Sequence, residues 1–200
     1  MGSRRGFVEP PWVYSPSDVM DWIDASNPPH KIKKFHARKG KKYLEDVEIS
    51  FDMDVERKKI VPSNFLVEKI KEITGYEEIE ENFEIIPAAE MAARALSKAK
   101  FSNMMTIMMD GEVLYDHPEK KNDIRKSIEM LVEKVHRTKG GANIEIRAMK
   151  SDPKCIANIL ISRVHPKKEH SIYVKFDGKI DEELFHRFLN YLKEHMAVES

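Results

Sequence analysis

Residues 104–135 read MMTIMMDGEVLYDHPEKKNDIRKSIEMLVEKV, and this stretch decides the fold class. Residues 104–109 are apolar with only Thr106 interrupting, the pattern of a strand covered on both sides or central in its sheet. Asp110-Gly111 follows, and such a pair joins antiparallel strands because both central positions of the tight hairpin turn need positive φ. Residues 112–115 form the return strand. Asp116 then predicts a helix cap, with Pro118 in the first turn and Ile124, Ile128, Leu131, Val132 and Val135 recurring at helical spacing. Gly140-Gly141 ends this helix. A hairpin followed by a long amphipathic helix needs a sheet with helices laid on it.

Toward the C-terminus, residues 142–149, 156–164 and 170–176 read as a three-strand meander, with turns at 151–153 and 165–168. Asp177-Gly178 reads as another turn. Asp181 then caps a last helix over 181–196, with Leu184, Phe185, Phe188, Leu189, Leu192 and Met196 inward. Toward the N-terminus, 43–55 reads as a strand ending near Asp54. Pro62-Ser63 caps a helix with Leu66, Val67, Ile70 and Ile73 inward, and Gly75 stops it. Residues 83–86 read as a short strand. Pro87 opens a helix to about residue 100, with a stripe of Ala88, Met91, Ala92, Ala95, Leu96 and Ala99 small enough to admit another backbone.

The expected fold is therefore α+β, a mostly antiparallel sheet covered by helices over 63–74, 88–100, 118–139 and 181–196. Strand, acid-led turn and capped helix recur in 49–73, 106–135 and 172–196, as a duplicated unit would repeat them. Residues 43–200 are then either one domain or two similar subdomains, 43–100 and 101–200. In the order of its elements, the 104–135 run resembles one half of a TATA-binding-protein-like repeat. That resemblance rests on no diagnostic motif and lends no residue a role.

Ahead of this domain, residues 1–42 read as an N-terminal arm. Phe7, Pro10, Pro11, Trp12 and Tyr14 form an extended stretch whose aromatics lie on the chain's own domain or on a neighbouring one, a route to oligomers. Ser15-Pro16 starts a short helix that ends by Asn27-Pro28-Pro29, and a basic linker follows.

Hydrophobic residues make up 41% and charged residues 34%, enough for a core under a highly charged surface. The Lys/Glu-rich surface and the Ile- and Met-rich core suit an archaeal or heat-adapted protein. Cys155 is the single cysteine, which excludes an internal disulfide and fits a reducing compartment. Neither a secretory leader nor a membrane-length apolar run is visible, so a cytoplasmic location is expected.

Formal net charge is zero, but the charges are segregated. Residues 31–42 carry Lys31, Lys33, Lys34, Arg38, Lys39, Lys41 and Lys42 with no acid among them. Residues 45–90 hold fourteen acids against five bases, and 139–179 hold nine bases against four acids. Segregation rather than the sum decides what a surface attracts. With Phe35, His36 and Tyr43 interleaved, the basic stretch suits phosphate contacts with base stacking, or an acidic protein surface. The plainer alternative is a solvated linker neutralised by the chain's own 45–90 segment.

The other constellations are weaker. His30 and His36 are six apart, His165 and His170 flank a hairpin tip, and His186 and His195 fall on opposite helix faces. None has the spacing of a metalloprotease helix. Met104, Met105, Met108 and Met109 would alternate along a strand, so they cannot all bind one soft ion. Asp52/Asp54 and Glu77/Glu78 are explained by surface charge. A Gly-rich phosphate loop and a nucleophile elbow are both missing from the sequence, so no catalytic residue, metal or cofactor is expected. The expected function is a non-catalytic binding or assembly protein, engaging RNA, DNA or an acidic protein partner through the basic stretch and the basic meander. Two alternatives stand beside it: an enzyme or metalloprotein with a His-containing site drawn from several elements, and a structural subunit of a larger complex.

Overall fold

A computed structural model describes residues 30–54, 58–60, 62–75, 84–101, 103–116, 124–138, 143–164, 169–194 and 196–198. Residues 1–29 of the expected 1–42 arm, with its short helix, the cap at Asp116–Pro118 and the glycine stop at 140–141 lie outside them, apart from Asp116 itself. The strands are β1 (His30–Lys39), β2 (Tyr43–Asp54), β3 (Lys58–Ile60), β4 (Asn103–Met109), β5 (Glu112–Asp116), β6 (Asn143–Ser151), β7 (Lys154–Val164), β8 (Glu169–Asp181) and β9 (Met196–Val198). The helices are α1 (Asn64–Thr74), α2 (Ile85–Lys98), α3 (Ile124–Thr138) and α4 (Glu182–Glu194). The fold is α+β. Seven strands form one antiparallel sheet in the order β1-β2-β8-β7-β6-β4-β5, and β3 pairs separately with β9.

Strand alternation sorts the sheet into two faces. One register row runs Ile49, Val174, Ile159, Ile146, Ile107, and every member is buried. The helices cover this face and share one apolar core with it. Central in that layer is α2, which contacts α3, α4, β6 and β7. Buried positions surround it, including Ala88, Ala89, Ala92, Ala93 and Ala95, because a helix walled on several sides has no polar face to keep. Its start corrects the sequence expectation of a strand at 83–86: Ile85 and Ile86 are already helical. Pro87 is tolerated one position further in, because N–H groups of the first turn have no intrahelical partner.

Across the C-terminal half, Phe176 packs against Phe101, Phe185 and Phe188 with ring centroids 5.5, 6.1 and 5.2 Å away. Joining β8 to α4 around these rings ties the last helix to the sheet. At α1, the cap is Ser63, whose side chain accepts from the Leu66 N–H at 3.1 Å, and the stop is Gly75 at φ 85°. A capping box would place a Glu at the third helical position to bond the cap's own N–H. Leu66 stands there instead, and Glu90 from α2 does that work, accepting from Ser63 N–H at 3.0 Å and from its hydroxyl.

Two further expectations are corrected. Asp177-Gly178 is not a turn: β8 runs unbroken through it to Asp181. Between the pairs Val47–Phe176 and Glu45–Lys179, β2 contributes one residue and β8 two, so the pair sits in a bulge with Gly178 at φ 108°. The last helix ends at Glu194, and Met196 belongs to β9.

Candidate binding surface

The basic segment expected to be a linker is instead, over His30–Lys39, a ten-residue strand at the end of the sheet formed by the described residues. Its apolar residues Ile32, Phe35 and Ala37 do not alternate, which hid the strand. The ladder explains the spacing. Ile32 pairs with Phe51 and Lys34 with Ser50, so Lys33 is an extra residue, and Phe35 returns to register opposite buried Ile49. A second irregularity lies between His36 and Arg38, where β2 contributes both Asp46 and Val47 against Ala37. Ala37 is fully buried, so β1 joins the core rather than trailing from it.

Of the ten residues singled out, Lys31, Lys33, Lys34, Phe35, His36 and Lys39 are placed by backbone and register, and their side chains lie outside the description. Four are fully described. Arg38 is exposed and forms an ion pair with Asp46 at 2.7 Å. Lys41 and Lys42 are exposed in the β1–β2 turn, which the Gly40 N–H closes by donating to the Tyr43 carbonyl at 2.8 Å. Tyr43 is half-buried, pairing along the backbone with Asp181, which limits it as a stacking platform. Asp46 also accepts from the Gly178 N–H at 3.3 Å, and the Arg38 guanidinium beside it holds its carboxyl below the usual range.

The sheet face away from the helices continues from this edge. One row across it is Glu48, Lys175, Asn158, Arg147, Thr106, and the next is Ser50, Tyr173, Leu160, Glu145, Met108. These residues are half-buried or exposed, with Leu160 at 41% and Val113 of β5 at 53% exposure. Tyr173 donates its hydroxyl to Glu48 at 2.6 Å, and burial, with that carboxylate next, pushes its pKa up to about 12. Two cations of the meander are matched here: Lys175 lies 3.4 Å from Asp177 and Arg147 lies 3.6 Å from Glu145. The face is of mixed charge, whereas β1 and its turn are of one sign in sequence.

Histidines do not assemble a centre among the described residues, and no group of three or more His, Cys, Asp or Glu there is placed to hold a metal ion. His165 lies outside the description. His170 is buried at 2% exposure, its Nδ1 lacks a hydrogen-bond partner, and burial, then the Arg163 charge, depresses its pKa to about 4. Cys155 is buried within β7, and burial pushes its thiol up to about 12, so it is held as an unreactive thiol. Of the methionines in β4, Met109 is buried on the helix side and Met108 is half-buried on the other. No helix among the described residues is long and apolar enough to cross a membrane. Sequence reasoning missed the open sheet face entirely, although the alternation of polar and apolar residues in β6 and β8 carries its signal. No protein-family model, curated protein or solved structure matches this chain.

Proposed function

We propose that the chain is a non-catalytic binding or assembly protein that engages an acidic polypeptide through β1 and the β1–β2 turn. The observation that carries this reading is the position of the cation-dense segment: Lys31, Lys33, Lys34, Arg38 and Lys39 occupy a ten-residue strand at the edge of the sheet, and exposed Lys41 and Lys42 extend it. Fixing these charges on a strand rather than a loose linker lowers the entropy lost on binding. The choice of polypeptide over nucleic acid rests on the neighbouring face. It offers bases no free stacking platform: its aromatic, Tyr173, is half-buried and tied by its hydroxyl to Glu48.

The test is a titration of the full chain with a Glu-rich peptide and with single-stranded oligonucleotides over a range of salt. Replacing Lys33, Lys34, Lys39 and Lys41 together with Ala should weaken the peptide by about 1–3 kcal/mol, at a few tenths to one per exposed pair. Equal affinity of wild type and variant would sink the reading. Preferential oligonucleotide binding, with a log–log salt slope of about −3 and a loss on Phe35→Ala, would move the function to single-stranded nucleic acid.

A further inference from the structure

The geometry points to strand addition as the way β1 takes its partner: an extended acidic segment pairs along the outer edge of Lys34–Lys39. This deepens the reading above and rests on it. One edge of β1 is used by the ladder to β2, and among the described residues β1 ends the strand order, so its remaining backbone groups face away from the sheet. Any antiparallel strand divides its N–H and C=O groups between its two edges, so an end strand offers a row of donors and acceptors to another chain. The extra residue at Lys33 breaks β1 near its start, leaving 34–39 as the stretch without an insertion of its own.

Charge then selects the occupant. Pairing β1 with β1 of a second copy would set lysines against lysines, and like charges directly opposite one another are destabilising. Lysines and bulges on edge strands are the usual protection against such self-association. The same lysines attract a strand carrying Glu or Asp, which satisfies the backbone row and the charges at once. A nucleic acid satisfies the charges alone. Such a partner also keeps the open face free, because strand addition extends the sheet sideways rather than covering it.

The experiment uses the intact chain and two peptides of equal length and charge, a Glu–Thr repeat and the same repeat methylated at every backbone nitrogen. Methylation removes the N–H donors of both edges and keeps the charges, so the pair separates charge from strand pairing. The unmethylated peptide should bind at least tenfold more tightly, and saturation with it should slow hydrogen exchange at outward amides of 34–39 by at least tenfold. Equal binding of both peptides with the same salt dependence would leave the acidic-partner reading standing and overturn strand addition. Failure of both peptides to bind would remove the underlying reading and this inference with it. Stronger binding of oligothymidylate than of either peptide, or a chain dimer that Phe35→Pro dissolves, would assign the edge to another occupant and overturn the proposal.

Discussion

Replacing Gly178 with alanine adds a methyl group where β8 lies against the start of β7. The new Cβ would lie 2.5 Å from the Lys154 carbonyl oxygen and 3.3 Å from the Cys155 Cα. Both are backbone atoms inside a ladder, so neither can swing aside as a flexible side chain would. At φ +108° an L-residue is strained as well. Positive φ costs about 1–2 kcal/mol, and overpacking against atoms that cannot yield adds about 1–3 kcal/mol. Reduced freedom of the unfolded chain returns about 0.4–1 kcal/mol. Gly178→Ala should therefore cost about 1–5 kcal/mol by these terms. Gly111 supplies the control: its φ is +86°, and nothing lies within 4 Å of its added Cβ. Gly111→Ala should cost less by the overpacking term, about 0–1.6 kcal/mol from the dihedral alone. Urea denaturation of both variants, compared at constant m, gives the two losses. If they agree to within about half a kcal/mol, the close approach of β8 to β7 is wrongly described, and the bulge with it.

Two further outcomes follow from groups buried away from the edge. Glu90→Ala leaves the Ser63 N–H and hydroxyl without their acceptor, and α1 should lose about 1–3 kcal/mol; amide exchange confined to the first turn of α1 would report it, and unchanged exchange there would deny Glu90 the capping role. His170 has a folded pKa near 4 against an ordinary 6.5, so the unfolded chain takes up its proton first as pH falls. Its contribution is full above about pH 6.5 and is lost toward pH 4, by up to about 3 kcal/mol; stability curves for wild type and His170→Leu should diverge in that window, and parallel curves would show that the imidazole is solvated.

Much of the fold was legible because local patterns agreed with the tertiary outcome. The Asp110-Gly111 hairpin, the Ser63 and Gly75 ends of α1, the limits of β2 and the inward faces of α3 and α4 follow from turn chemistry, capping and periodicity. Each is settled within a few residues of chain, so a local reading reaches it. The candidate surface was half legible: the cation-dense segment stands out by composition, but its form did not. Spacing of Ile32, Phe35 and Ala37 matches neither period, because the extra residue at Lys33 shifts the alternation, and only pairing with β2 restores it.

Sequence by itself determined that the chain is α+β, where most helices lie, and that a cation-dense run at 31–42 precedes an acidic stretch. Tertiary structure alone decided that those cations stand on an edge strand, that Asp177-Gly178 bends a strand instead of ending it, and that a glutamate from α2 completes the Ser63 cap of α1. The reason is common to all three. A bulge, an edge and a borrowed cap are set by which backbone lies alongside, and residues far apart in the chain supply it. His36 pairs with Glu48 across a short turn, but Glu48 pairs with Lys175 across most of the length of the chain.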